Sequence, residues 1–386
     1  MKSEMGEEIR ADLKCSFGLH ADSVTPVSGG WLNRKWKLVC DGNAWLIKQY
    51  SRKRFNQKQL DWIEQSMQRQ IIAKKEGVPC PGLFSFQGKV LRTLPDGTTY
   101  MVMEFCPGVM LDHNTVTTDQ MYSLGKACGQ IHRTFSALPP QGVRGYPLDR
   151  KAVLRELWEH YRTQMAEYEK AAEKGGHAGS SDFSDSSEGL SAEFSLESFA
   201  EISPGYFPEL FPELFPELFR ALVQERRILE QLPADFFDRM ETGIGHEDFT
   251  PDNMLFFGNE VSAILDFDRS QYGCRLHDVG RAILSFALKD GELDRKKAYA
   301  FLEGYGEWMA FEGSGGTGTK AGGTAGTSAG AGRSSDWLER TLSDALMLTW
   351  CLEAPWWVKR GVFAGASVKP VRFLEEILWV GEWWRE

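Results

Sequence analysis

HEDFTPDNMLFFGNEVSAILDFD, residues 246–268, is the stretch that decides how this chain is read. Its first eight residues crowd together three carboxylates (Glu247, Asp248 and Asp252), a histidine, an asparagine and a proline, a mixture that a solvated acidic loop also shows. The two apolar runs that follow give it meaning. Met254–Phe257 and Val261–Leu265 are expected to be strands, joined by a turn at Gly258-Asn259. Paired with 254 opposite 264, 255 opposite 263 and 256 opposite 262, they form a hairpin that brings Asn253 beside Asp266.

An amide oxygen and a carboxylate held on a short rigid element suit Mg²⁺, which takes one or two protein ligands and keeps the rest for water and phosphate oxygens. Asp248 lies five residues upstream of Asn253, on the loop leading into this site. A carboxylate so placed accepts a proton from an attacking hydroxyl, or orients it. Pro251 and the Asx-type residues stiffen the loop. Phosphoryl transfer needs this equipment, because there the protein mainly positions reactants and neutralises charge. The protein-kinase pattern H-R-D, then Asn, then D-F-G carries the same roles in the same order. Here Glu247 stands in place of the arginine and Asp268 in place of the glycine, and Asp266 lies thirteen residues downstream of Asn253.

Composition narrows the alternatives. A chain of 386 residues, 42% apolar and 12% aromatic, has room for two lobes with a cleft. Its net charge of −10 comes almost entirely from Glu173–Leu218, where Lys174 is the single base among many acids, so the charge describes an insert and not a ligand. Seven scattered cysteines form neither a disulfide framework nor a zinc knuckle. The first residues, MKSEMGEEIRADLK, lack the apolar core of a secretory signal, and no run of about 18 apolar residues suggests a membrane span, so a reduced cytoplasmic setting is expected. The basic cluster Ser51–Arg54 has no interleaved aromatics, so no nucleic-acid binding is expected.

Along the chain, residues 24–50 read as strands, with turn signals at Gly29-Gly30 and Asp41-Gly42. Leu60, Ile63, Met67, Ile71 and Ile72 recur at helical spacing over 58–75, and strands return in 83–94 and 98–105. Five strands and one helix make a small antiparallel lobe. From Thr118 the pattern is helical: 119–138, 150–174, 278–290, 292–310 and 336–353. Residues 174–206 are rich in Ser, Gly and acids, FPELFPELFPELF fills 207–219, and 312–335 is nearly all Gly, Ala, Ser and Thr. These are expected to be flexible inserts, about 174–219 and 312–335. The prolines recurring every fourth residue forbid an α-helix through the repeat.

H-x-D-F-T-P-D-N-M-L-F followed by I-L-D-F-D resembles the aminoglycoside phosphotransferase and choline kinase-like superfamily, across nearly the whole chain outside the inserts. The resemblance implies an α+β, bilobal protein-kinase-like fold. Residues 1–105 are then a nucleotide-binding N-lobe with a small antiparallel sheet, and 106–386 a larger, mainly helical C-lobe holding the catalytic loop and acceptor site. That superfamily commonly has glycine where this chain has Glu247. It often places a second acid two residues after the first metal ligand, as Asp268 stands here, to bind a second Mg²⁺ or to brace Asp266. The glycine turn Ser28-Gly29-Gly30 is then expected over the phosphates, and Lys48, in the strand AWLIKQY, on the α and β phosphates. Glu64 is the helix acid expected to hold Lys48, with Asp61 and Gln68 on related faces. Backbone groups around Glu104 to Cys106 form the hinge for the base. The resemblance also implies that His246 braces the loop and Asp266, and that Asp278, a natural helix N-cap, steadies the loop. Trp350, Trp356, Trp357, Trp379, Trp383 and Trp384 are either packing or one wall of the acceptor pocket.

The reading is a Mg²⁺-dependent transfer of the γ-phosphate of ATP, or GTP, to a hydroxyl of a small molecule, with Asp248 as base, Asn253, Asp266 and Asp268 on the metal, and Lys48 on the nucleotide. Its competitor is a non-catalytic kinase-like scaffold of the spore-coat type, which would have no need of the full set. The oligomeric state and the acceptor are not legible.

Overall fold

A computed structural model describes residues 5–27, 33–52, 54–139, 231–233, 235–309, 334–363, 376 and 379–383. The inserts anticipated at 174–219 and the Gly-rich part of 312–335, the helix anticipated at 150–174 and the glycine turn at Ser28–Gly30 lie outside these residues, save Ser334 and Ser335.

The chain opens with helix α1 (Glu7–Phe17), then strands β1 (Ser23–Pro26), β2 (Arg34–Cys40) and β3 (Asn43–Tyr50), helix α2 (Gln57–Lys75), and strands β4 (Arg92–Thr93) and β5 (Thr99–Glu104). The five strands make one antiparallel sheet in the order β1-β2-β3-β5-β4. Strand alternation divides its side chains between two cores. Trp36, Leu38, Ile47, Tyr100 and Val102 pack against Ile9 and Leu13 of α1. Tyr50, Met101 and Met103 point the other way, toward Ile63 and Met67 of α2 and the helices beyond. Helix α1 was not anticipated from the sequence. It is held by more than its apolar stripe: Arg92 donates twice to Asp12, both at 2.8 Å, and the Tyr100 hydroxyl donates to the same carboxylate at 2.7 Å.

Helix α2 begins where the sequence supplies a reciprocal cap. Asn56 Oδ1 accepts from Gln59 N, and the Gln59 side chain accepts from Asn56 N, both at 2.9 Å. Helix α3 (Thr118–Phe135) starts in the same way on Thr117 and Gln120. After β6 (Thr242–Gly245) come the hairpin β7 (Met254–Phe257) and β8 (Glu260–Ile264), then β9 (Gln271–Cys274), which pairs with β6. Helix α4 (Leu276–Ala287) follows, then the short pair β10 (Leu288–Lys289) and β11 (Glu292–Leu293), helix α5 (Arg295–Gly306) and helix α6 (Ser335–Phe363). Helix α4 is buried along its whole length, because α3, α5 and α6 all pack on it or beside it.

The α3–α5 crossing is set by glycine. A Cβ on Gly125 would lie 1.9 Å from the Phe301 carbonyl oxygen, and one on Gly304 would lie 2.1 Å from that of Tyr122. Two backbones meet there with no room for a methyl group, and the obstacles are main-chain atoms that cannot swing aside. Gly304→Ala is expected to cost about 3 kcal/mol or more, at the upper end of overpacking penalties. Urea denaturation followed by circular dichroism checks this, and an unchanged midpoint would refute the close-contact account.

Candidate active site

The hairpin β7–β8 brings Asn253 and Asp266 to one end. Met254 pairs with Ile264 and Leu255 with Ala263, as the spacing predicts. Phe256, however, pairs with Val261 and not with residue 262. Ser262 is the extra residue of a β-bulge, and its hydroxyl donates to the Pro107 carbonyl at 2.8 Å. The irregularity lies on the far side of the 254–264 pair, so the near end is undisturbed. There Leu265 N donates to Asn253 O at 2.8 Å.

Asn253 closes a tight 3₁₀ turn, Pro251–Asn253, and its side-chain nitrogen turns back to Asp248. Nδ2 donates to Asp248 O and to Asp248 Oδ2, both at 3.0 Å. The other carboxylate oxygen, Asp248 Oδ1, faces Arg269 Nη1 at 3.4 Å. Asp248 is thereby held from both sides by donors.

Lys48 comes from the sheet. On β3 it shares a face with Leu46 and Tyr50 and is only 2% exposed. Its Nζ donates to Asp266 Oδ1 at 2.9 Å and to Asp268 Oδ2 at 2.7 Å, while the Tyr50 hydroxyl donates to Asp268 Oδ1 at 3.0 Å. Burial works against a lysine's charge, but these two carboxylates outweigh it and raise its pKa well above the usual value. Burial likewise opposes ionisation of Asp266, and Lys48 overcomes it, so that carboxyl stays below its usual range. For Asp268, burial and the neighbouring Asp266 prevail over Lys48 and push the pKa up. Helix α2 is pinned to the same segment, for Arg69 Nη1 and Ser66 Oγ both donate to Ser270 O, at 2.6 and 3.0 Å.

Other expected residues lie apart from this cluster. Glu64 is not bonded to Lys48. Its carboxylate accepts the amides of Val90 and Leu91, the latter at 2.7 Å, and the Gln68 side chain at 2.8 Å. Asp61 is bonded to Gln57. The lysine takes its acids from Asp266 and Asp268 instead. At the hinge, the Glu104 carboxylate accepts Gly82 N and Lys74 Nζ, both at 2.8 Å. Glu104 N donates to Gly82 O and Phe105 N to Ala44 O, and Cys106 follows, half-buried. Ser28, Gly29 and Gly30 lie outside the described residues. The tryptophans Trp379 and Trp383 stack on each other, with ring centroids 5.9 Å apart, and Trp350 is buried core.

Beneath the loop runs a buried polar frame. Asp278 is the third residue of α4, not its N-cap, and its carboxylate serves the neighbouring loop instead. It accepts His246 N at 2.7 Å, Glu247 N at 2.8 Å and His132 Nε2 at 3.0 Å, while His132 Nδ1 meets the Tyr305 hydroxyl at 2.9 Å. Burial opposes its charge, but His132 prevails and lowers its pKa. His246 is fully buried, edge-on to Phe249 and Phe267, and its Nε2 donates to Leu265 O at 2.9 Å, next to Asp266. His277 lies between two carboxylates, 3.3 Å from Glu247 Oε2 and 2.8 Å from Glu353 Oε1, the first contact bent away from hydrogen-bond alignment. Arg281 continues the line to Glu353 and Glu376.

His277, Glu353, Arg269, Tyr50 and His132 were not singled out from the sequence. Tyr50 alone had a usable signal, as it stands two residues from Lys48 on a strand of period two. Partners brought together from distant helices leave none.

The oxygen donors fit a hard cation. Asn253 turns its amide nitrogen to Asp248, which leaves its oxygen as the group free to coordinate, and Asp266 and Asp268 add carboxylates nearby. Among the described residues no three His, Cys, Asp or Glu side chains cluster as a self-sufficient metal cage.

Comparison with known proteins bears on the family and the fold. The family model described as "Phosphotransferase enzyme family" matches residues 23–311. A homoserine kinase of Rhizobium etli is 33% identical over 81 residues, covering 21% of this chain and 25% of that protein. A homoserine kinase of Mesorhizobium japonicum is 25% identical over 232 residues, covering 60% of this chain and 55% of that protein. The chain therefore spans only about a quarter and about half of these curated relatives. Among solved structures, a spectinomycin phosphotransferase bound to ADP and spectinomycin has a TM-score of 0.55 at 14% identity, covering 98% of this chain and 94% of that one. An aminoglycoside 2'-phosphotransferase-IIIa bound to GDP has a TM-score of 0.56 at 13% identity, covering 99% and 100%. These likenesses give the fold: α+β and protein-kinase-like, with an antiparallel-sheet lobe and a mainly helical one. No helix among the described residues is long and apolar enough to cross a membrane.

The buried frame makes a pH prediction. Burial disfavours a charged His277, but Glu247 and Glu353 overcome it and lift its pKa to about 10. A folded-state value above the unfolded one, about 6.5, gives stability that is complete below that pH and is lost as pH rises toward 10. His277→Gln is expected to remove one proton's worth of slope, about 1.4 kcal/mol per pH unit, from the stability profile between about pH 6.5 and 10. Urea midpoints of both proteins across that range decide it, and parallel profiles would contradict the imidazolium assignment.

Proposed function

The chain belongs to the phosphotransferase enzyme family, and on that premise we propose that it transfers the γ-phosphate of ATP or GTP to a hydroxyl of a small molecule, with Asp248 as base. The observation that carries this is the Asn253 side chain. Its nitrogen orients Asp248 at 3.0 Å while its residue is bonded to the segment holding Asp266, the partner of Lys48. Base, cation ligands and nucleotide lysine form one connected set.

Each residue has a task in the transfer. Asp248, fixed by Asn253 and Arg269, offers carboxylate lone pairs to the acceptor hydroxyl and takes its proton as that oxygen bonds to the γ-phosphorus and the bond to the β–γ bridging oxygen breaks, releasing ADP or GDP. Asn253, Asp266 and Asp268 would hold Mg²⁺, which when bound supplies charge neutralisation on the phosphates. Lys48, buried beside two acids, is the cation of the sheet lobe that would meet the α and β phosphates. Residues 1–105 form the nucleotide lobe in this reading and 106–386 carry the catalytic loop and acceptor site. The nucleobase would lie by the hinge at Glu104–Cys106, and the glycine turn Ser28–Gly30 over the phosphates. Glu64 braces the backbone of Val90 and Leu91 in this scheme and leaves the lysine to Asp266 and Asp268.

The homoserine kinases favour acceptors of the amino-alcohol kind, and the solved relatives bind hydroxyl-rich antibiotics such as spectinomycin. ADP release from ATP with Mg²⁺, across homoserine, choline, aminoglycosides and spectinomycin, is expected to pick out one acceptor class. Asp248→Asn should lose about 10²- to 10⁴-fold in kcat, with nucleotide affinity nearly unchanged. Full turnover by that variant would sink the assignment. If neither ATP nor GTP shifts the melting temperature, the scaffold reading takes its place.

A further inference from the structure

Building on the phosphotransferase reading, we propose that Glu247 is a positioning residue, whose buried side chain ties the catalytic loop to the C-terminal helices and so sets the place of Asp248. Glu247 precedes Asp248 directly in the chain, and its backbone has φ 63°, the left-handed region where a side chain is disfavoured. A residue with a Cβ is costly there, so its side chain must repay the cost.

The surroundings show how it does so. The Glu247 side chain is only 6% exposed. Gly245 and Gly273 flank it on the paired strands β6 and β9, and a Cβ on Gly273 would lie 2.5 Å from Glu247 Oε1. The space occupied by this carboxylate is therefore kept open by glycine. Helix α4 grips the residue twice with consecutive side chains, Asp278 on its amide at 2.8 Å and His277 on its carboxylate at 3.3 Å. One turn further along, Arg281 joins Glu353 of α6 to Glu376. The result is an alternating row of carboxylate, imidazolium, carboxylate, guanidinium and carboxylate, running from the catalytic loop to the last part of the described chain. Buried charges so arranged stabilise one another, and loss of one member weakens the hold on the next. Glu247 is held by Asp278 and His277 of α4, while Lys48 is held by Asp266 and Asp268, so the effect of the tether falls on the loop.

The full-length protein with Glu247→Gly is the first test. Glycine accepts the left-handed backbone, so the fold is kept while the tether is cut. Relative to wild type, kcat is expected to fall about 10- to 100-fold, as for small misplacements of a reacting group, with the nucleotide KM within about twofold. Amide hydrogen exchange in 246–253 is expected to quicken by about tenfold or more in the variant. His277→Gln should reproduce both changes, and the double variant should be little worse than either single, because both cut one row. A folded Glu247→Gly protein with wild-type kcat, or with a lowered melting temperature as its sole change, overturns the proposal. Should the wild-type protein phosphorylate no acceptor, the phosphotransferase reading fails on its own. The exchange measurement still decides the tether then, and equal protection in wild type and variant overturns it.

Discussion

A single buried carboxylate, Asp278, is the point from which the arrangement of the site is built. It is about as deeply buried as a carboxylate can be, and it accepts the successive amides of His246 and Glu247 together with His132. Its place comes from helix packing. A Cβ on Gly280 would lie 2.3 Å from the Ala345 carbonyl oxygen, so α4 sits directly against α6, while His132 and Tyr305 tie Asp278 to α3 and α5. Each amide that lost this acceptor would carry a desolvation cost of about 1–3 kcal/mol. The loop thus inherits its position from four helices, which no local propensity in HEDFTPDN encodes.

Backbone strain gathers at the same place. Glu247 and Asp266 are non-glycine residues with left-handed φ angles of 63° and 60°, one before Asp248 and the other at the expected metal ligand. Such conformations persist only where surrounding contacts over-determine them. Here they do. Asp278 and His277 hold the first, and Lys48 with the 3₁₀ turn Phe267–Arg269 holds the second. The lysine contact also joins the sheet to the helical part, and Ser66 and Arg69 of α2 make a second connection through Ser270. Any shift between the two parts of the molecule therefore moves Lys48 against Asp266.

The places where expectation and structure part have local causes. The hairpin was legible through its apolar runs and turn residues, yet the bulge at Ser262 was not, because it answers to the Pro107 carbonyl and not to any neighbour in sequence. Glu64 has the right type and helix for a lysine partner, but its carboxylate serves the amides of Val90 and Leu91 and the Gln68 side chain, and Lys48 is met by Asp266 and Asp268. Asp278 looked like an N-cap because it begins a helical pattern, but the helix starts two residues earlier and the side chain caps a different segment. Helix α1 escaped notice because its apolar stripe is short, and its anchor, Asp12, finds Arg92 and Tyr100 eighty or more residues away.

The sequence by itself determined the family, the order of Asp248, Asn253, Asp266 and Asp268, and the strand that carries Lys48. All of these depend on spacing along one chain, where hairpin geometry and strand alternation act over a few residues. The tertiary structure decided which acids hold the lysine, what role Glu247 has, and which carboxylate supports the loop. Those outcomes rest on contacts such as Lys48–Asp266 and Glu247–His277–Glu353, whose partners are joined by packing and desolvation across the fold, and burial decides such pairings in ways that residue order does not record.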